Sequence, residues 1–274
     1  MQTDRSQRWR ECRALWARDL TLIDPKAYAV DVIDHAVARA FIARHHYLPS
    51  YPAAQLAVGL FGRQGELEGV AVFAVPATGA VITRHTGFDD PKRGCVLARL
   101  ILTDAVPQNG ESFFVARAFR HLRRERSCIE AVVSYSDPGA GHIGRVYCAL
   151  SAAHRAVTRP RTVLRVGNVT ISGRTLSKIR LGEQGHAAAI DGLAALGVPR
   201  PRLGEDLRAW LWRLQRERHL IAHRQAGLFA YCFELTREAR RRGRSLPSLP
   251  YPKALPLQQP ILPLFPPAQE IDHG

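Results

Sequence analysis

The sequence predicts an α/β fold: a mixed central sheet flanked by helices, followed by a helical C-terminal extension. Two observations carry that expectation. Across residues 31–182, short apolar runs of strand length alternate with stretches whose apolar residues recur at helical spacing, the pattern of a sheet covered by helices. Across residues 183–253 the strand-like runs thin out, amphipathic and arginine-rich segments take over, and prolines crowd the chain beyond them.

Taken in order, residues 1–30 form an N-terminal extension. Within it, Trp9, Leu15 and Trp16 among arginines predict a leading helix over 7–19. Asp31–His46 reads as a second helix, with Ile33, Val37, Ala40 and Phe41 near helical spacing and Pro49 beyond its end. Leu56–Phe61 and Gly69–Val75 are strands joined across Gly62–Gly65. Cys95–Leu102 is a strand broken only by Arg99. Pro107–Ser112 then turns into a helix carrying Val115, Phe119 and Leu122 on one face. Ile129–Tyr135 is a β-branched strand. A short helix with Ile143, Val146, Tyr147 and Leu150 follows Asp137-Pro-Gly. Thr162–Val166 and Val169–Ile171 form a hairpin about Gly167-Asn168. In the C-terminal region, Leu207, Trp210, Leu211 and Leu214 mark a strongly amphipathic helix, and Leu228–Leu235 is a further apolar stretch. Residues 254–274 are proline-rich and expected to be poorly ordered.

Charge is the strongest compositional signal. Thirty-nine Lys and Arg against 24 Asp and Glu leave a formal +15, and only Lys26, Lys92, Lys178 and Lys253 are lysines. Guanidinium groups fork onto phosphates and stack on bases, so nucleic acid is the expected partner, with an acidic cofactor or protein as the alternative; the arginines of the last third (Arg213, Arg216, Arg218 and Arg240–Arg244) are the expected contacts of double-stranded DNA. No apolar run is long enough to span a membrane, and Met1–Arg18 has no secretory character. The five cysteines are scattered without Cys-x-x-Cys spacing, which fits a reducing cytoplasmic compartment.

Neither a Gly-x-x-x-x-Gly-Lys-Ser/Thr loop nor a Gly-x-Ser-x-Gly elbow is present, which argues against kinase and hydrolase readings. Polar residues instead gather where a strand ends. Ser134-Tyr-Ser-Asp137 closes a strand, and Gly139–Gly144, with His142, leads into the helix bearing Tyr147. Open α/β sheets bind ligands at such strand ends and helix starts. Asp137 is a candidate base or orienting group; the alternative is a helix cap. Tyr147 is a candidate acid; the alternative is a core tyrosine with a bonded hydroxyl. His45-His-Tyr47 and Ser50-Tyr51 form a second cluster. A histidine–carboxylate metal site from His45 or His46 with His142 and Asp137 is the lesser reading, and no metal is assigned.

His46-Tyr47, Ser50-Tyr51, Leu97-Ala-Arg-Leu100, Asn109-Gly-Glu-Ser112 and Ser134-Tyr-Ser-Asp-Pro138 follow one another in an order that resembles the Mom family of phage DNA-modification proteins. Gly141-His-Ile-Gly144 with Tyr147, Gly173-Arg-Thr-Leu176 and Pro250-Tyr-Pro-Lys253 continue it, so the resemblance spans about residues 32–253. It implies a GNAT-like (Gcn5-related acyltransferase) core over 31–182 and transfer of a carbamoylmethyl group to the adenine exocyclic amine, protecting DNA from restriction. It places the protein in the host cytoplasm if the gene is phage-borne. On this reading Asp137, Tyr147, Ser112, Ser134 and His142 are catalytic. Tyr47, Tyr51, His46, Arg99 and Asn109 bind substrate, with Arg99 on an anionic donor. The segment Gln108–Ser112 departs from the Gln/Arg-x-x-Gly-x-Gly/Ala loop of acyl-CoA enzymes, so the small-molecule donor is open: acetyl-CoA or another acyl-type donor. The competing readings are an N-acyltransferase acting on another amine and a non-catalytic DNA-binding protein.

Overall fold

The computed structural model describes residues 5–10, 13–18, 21–46 and 48–255. Arg5–Arg10 (β1) and Arg13–Arg18 (β2) pair as an antiparallel hairpin where the leading helix was expected. Trp9, Leu15 and Trp16 are too few to mark a helical stripe, and tryptophan suits a strand at least as well. Ala29–Val32 (β3) precedes His35–His45 (α1), then Ala54–Phe61 (β4), Leu67–Ala74 (β5), Ala80–Thr86 (α2) and Gly94–Leu102 (β6). Gly110–Glu125 (α3), Ala131–Ser136 (β7) and Arg145–Ala149 (α4) follow the expected alternation, and Ala153–Val157 (β8) adds a strand to it. Then come Arg161–Val166 (β9), Val169–Ile171 (β10), Gly173–Leu181 (α5), His186–Ala195 (α6), Leu207–Arg216 (α7) and Ile221–Gln225 (β11). Phe229–Glu234 (β12) and Arg237–Gly243 (α8) follow.

Seven strands form the main sheet in the order β3-β4-β5-β6-β7-β12-β8. Only β6 and β7 run parallel; every other neighbouring pair in it is antiparallel. The larger core lies on one face, where Phe114, Val115, Ala118 and Leu122 of α3 pack on Val58, Leu60, Ala71 and Phe73. On the other face, Ala38 and Ile42 of α1 meet Ala57, Val70, Val72 and Ile101. The alternation of those residues along β4 and β5 is the period of two that lets one strand feed two cores. Helix α1 starts later than its periodicity suggests. Asp34 caps it by accepting from the Ala36 N–H at 2.6 Å, and Val37, expected on the buried stripe, is 48% exposed. Residues 29–32 pair with β4 instead, so strand pairing takes Asp31 and Val32 from the start of the expected helix.

The chain divides into two compact units, one up to Thr158 with Leu228–Leu255, the other Arg159–Gly227. This corrects the expected boundaries of a 31–182 core and a helical 183–253 region. The hairpin β9–β10 belongs to the second unit, and β12, expected in the helical extension, lies between β7 and β8 in the main sheet. Cross-strand pairing decides it: β12 hydrogen-bonds along both neighbours, which ties residues 229–234 to strands far earlier in sequence. Beyond α8, Leu246–Tyr251 is anchored to β8. Arg155 donates to Leu246 O and Pro247 O and pairs with Glu234, Leu249 N–H donates to His154 O, and the Tyr251 hydroxyl donates to Ala152 O at 2.9 Å. The second unit has its own three-stranded sheet, β10-β9-β11, and a core of Ile171, Ile179, Leu193, Trp210, Leu211 and Leu214. Among the described residues no helix is long and apolar enough to cross a membrane.

Candidate active site

The site is built where the parallel pair parts. Strands β6 and β7 are in register only over Gly94–Leu97 against Ala131–Ser134. Past that point β6 stays with β5 as far as Leu102, and β7 stays with β12 as far as Ser136. The edges of Ala98–Leu100 and of Tyr135–Ser136 are thereby released from each other. A bulge in β6 sits at the same level, between the pairs Phe73–Leu97 and Val72–Arg99. One extra residue reverses the alternation that follows. Leu97 and Leu100 both pack with the α3-side core, whereas Ile101 packs with the α1-side core, and Arg99 takes the same parity as Ile101.

Two groups of side chains lie on the elements that border this parting. Ser134 is fully buried at the end of the parallel register and donates its hydroxyl to Leu97 O at 3.1 Å. The Tyr147 phenol lies beside Ser134, and burial pushes it above the usual tyrosine range. Tyr147 is half-buried, its ring 5.3 Å from Tyr231 and 5.6 Å from Phe233. A phenol whose pKa burial raises stays protonated at neutral pH and so has a proton to give to a developing negative charge. The second group comprises His46, Arg99, His142 and Asp137. Burial first, then the neighbouring Arg99 and His142, bring His46 down to about 3, so it is neutral at physiological pH. Leu48 N–H donates to His46 Nδ1 at 2.9 Å, which leaves the ring proton on Nε2. Burial also lowers His142, against which the Asp137 carboxylate works to restore basicity.

Asp137 itself accepts from the Gly139 N–H at 2.8 Å and caps the turn Pro138–Ala140, the structural role weighed for it from the sequence. Arg99 donates to Leu48 O, Ala98 O, Ser50 O and Ser50 Oγ, so its guanidinium pins the loop 48–50 to β6. Ser112 donates to Asn109 O at 3.0 Å, within the first turn of α3, and Asn109 starts that helix with a φ of 65°. Tyr51 bonds His35 Nδ1 at 2.9 Å and lies under Arg39, packed with the α1-side core. Tyr47 lies outside the described residues. Among the described residues, no group of three His, Cys, Asp or Glu side chains is placed to hold a metal.

The model of the Mom protein family matches residues 27–253. The chain belongs to the Mom protein family. No curated protein matches it. Solved structures of similar shape include yncA from Salmonella typhimurium with its cofactor acetyl-CoA, at a TM-score of 0.40 and 11% identity, covering 77% of this chain and 95% of that one. The spermidine/spermine N-acetyltransferase SpeG from Vibrio cholerae, solved with manganese ions, has a TM-score of 0.41 and 7% identity, covering 79% and 98%. The GNAT family N-acetyltransferase YhbS from Escherichia coli, solved with CoA, has a TM-score of 0.32 and 16% identity, covering 48% and 72%. The main sheet of this Mom chain has a single parallel pair, which parts beside a bulge.

The residues that sequence reasoning missed lie on β12 and β8. Tyr231 stands directly across from Ser134 on one side and pairs with His154 on the other, so Ser134, Tyr231 and His154 form a row over three strands. His154 stacks on Tyr231 at 5.1 Å and bonds Pro250 O through Nδ1, and the Tyr231 hydroxyl donates to Ile143 O at 2.5 Å. That bond and Gly144 set the entry to α4. Gly144 has a φ of 77°, and a Cβ there would sit 2.5 Å from the Tyr231 ring. The glycine was legible in Gly141-His-Ile-Gly144; its tyrosine partner, far along the chain, was not.

Proposed function

We propose that this chain transfers an acyl-like, carbamoylmethyl-type group to the N6 amine of adenine in double-stranded DNA, protecting phage or mobile DNA from restriction. Membership of the Mom family supports the reading. The observation that carries its chemistry is that Ser134 and Tyr147, and His142 with Asp137, all lie on β7, α4 and the turn between them, at the end where β6 and β7 part.

The adenine amine is a weak nucleophile because its lone pair is delocalised into the ring, and in a duplex its edge is paired. The base therefore has to leave the stack before reaction. The N6 nitrogen then attacks the electrophilic carbon of the donor. As the N–C bond forms, the bond from that carbon to the leaving group breaks. The proton shed by the amine passes to His142, which Asp137 orients and makes more basic, and Tyr147 supplies a proton to the leaving group. Ser134 fixes the direction of the phenol, and Arg99 with His46 holds the loop 48–50 as the wall of the site.

An acyl-CoA is one class of donor. The released edges of β6 and β7 suit an extended acyl arm. The segment Thr103–Glu111, by contrast, contains Asp104 and Glu111 and no Lys or Arg, which suits a diphosphate poorly. The step needs only a donor whose electrophilic carbon bears a leaving group, and no part of it runs through CoA. Mass spectrometry of nucleosides from DNA co-expressed with the chain tests the reading. A modified adenine of increased mass is the expected result. Unmodified DNA together with an acylated amine on RNA, protein or a small molecule overturns the DNA reading in favour of another amine substrate.

A further inference from the structure

We propose that the inserted unit Arg159–Gly227 is the duplex-binding module of this chain, and that the outer stripe of α7 with the loop before it is its contact surface. The proposal rests on the DNA reading above and locates the partner on the molecule. The unit enters the chain between β8 and β12, two neighbouring strands of the main sheet. A quarter of the length, it contains thirteen Lys and Arg against five Asp and Glu, a net +8 of the chain's +15.

Those five carboxylates are already occupied. Glu183 pairs with Arg174 at 3.0 Å, Asp191 with Arg200 at 2.7 Å, and Glu205 and Glu217 with Arg213 at 2.7 and 3.2 Å. Asp206 caps α7 through the N–H groups of Arg208 and Ala209. None of the ten other cations is ion-paired with a described carboxylate, so their charge is available to phosphates.

Helix α7 turns Trp210, Leu211 and Leu214 into the unit's core. Its opposite side presents Arg208, Trp212 and Arg216 at four-residue steps, a line of guanidinium, indole and guanidinium, with Trp212 63% exposed. A largely exposed indole flanked by two cations suits stacking or sugar contact in a polyanion complex. The preceding loop is braced rather than loose. Trp210 Nε1 donates to Pro199 O at 2.9 Å, and Glu205 accepts from the Arg202 N–H at 2.8 Å while holding Arg213. The brace leaves Arg202 and a fully exposed Leu203 at the tip. Apolar side chains beside arginines are the means by which proteins press on base steps in the minor groove. A membrane surface fits less well, because an interfacial helix turns its apolar face outward and α7 buries that face in its own core.

The test uses the full chain and a fluorescent DNA duplex titrated at several salt concentrations. Double replacement Arg208→Ala with Arg216→Ala should weaken binding and lower the slope of log affinity against log salt by about two, because each phosphate left unneutralised keeps its own counterions. Trp212→Ala should weaken binding about tenfold with the slope nearly unchanged. A control that removes the same charge from the first unit, Arg63→Ala with Arg124→Ala, should bind as wild type. All are exposed positions, and an unchanged melt verifies the fold. The assignment is overturned if the control loses as much as the α7 variants, if the α7 variants bind as wild type, or if wild type binds duplex RNA or anionic phosphatidylserine vesicles better than the DNA. Adenine modification measured in parallel separates the two ideas. Binding lost on α7 with no modified adenine in wild type sinks the chemistry and keeps this module. Full modification with undiminished binding by the variants does the reverse.

Discussion

Tyr147→Phe separates a catalytic phenol from a packed one. The substitution removes one oxygen and keeps the ring, so the contacts with Tyr231 at 5.3 Å and Phe233 at 5.6 Å survive. What is lost is at most one polar contact of the phenol with the neighbouring Ser134, and Ser134 keeps Leu97 O as a partner. The expected stability cost is therefore about 1 kcal/mol, that of one hydrogen bond with no donor left stranded. A group that protonates the leaving group in the transition state costs far more when removed: roughly 100-fold in rate, about 2.7 kcal/mol of barrier. Burial raises the phenol's pKa, so loss of activity through its ionisation should begin only above the ordinary tyrosine range. The assay is the yield of modified adenine by nucleoside mass spectrometry, set beside thermal melts and duplex affinities of the same preparations. Near wild-type modification by a normally melting Tyr147→Phe protein refutes the assignment. A melt lowered as much as the activity assigns Tyr147 to the core alone.

Three further outcomes are expected. Asp137→Asn removes the charge that supports the basicity of His142 but keeps an oxygen for the Gly139 N–H, so modification should fall at least tenfold with little change in urea midpoint. A parallel fall in stability would make Asp137 a cap only. Gly144→Ala places a methyl 2.5 Å from the Tyr231 ring at a φ of 77° and should cost about 2–4 kcal/mol by urea unfolding; a loss under 1 kcal/mol would mean that the α4 entry adapts. His46 and His142 have folded pKa values below the unfolded one. The unfolded state therefore binds more protons at acid pH, and the stability held above about pH 6.5 is lost as pH falls towards about 3. Melting temperature should drop over that window, less steeply in His46→Asn, and identical profiles would contradict the burial of His46.

The two sequence periods determined much of this fold. Short apolar runs of strand length announced β4, β5, β6 and β7, the apolar stripe of α3 announced that helix, and the strand-end cluster Ser134–Tyr147 was visible because polar and glycine residues concentrate where a strand meets a helix. Local signals act over a few residues, so they cannot say which distant strands pair. Tertiary structure alone placed β12 beside β7, which brings Tyr231 and His154 into a row with Ser134 and turns the expected helical extension into an inserted unit. It also decided what Arg99 does. In a strand of unbroken alternation Arg99 would share a face with Leu97, but the bulge turns it to the other face, where loop carbonyls bind its guanidinium. Asp137 and Tyr147 could be named from the sequence, but whether each caps, packs or carries a proton depends on burial and on partners that only the folded chain brings within reach.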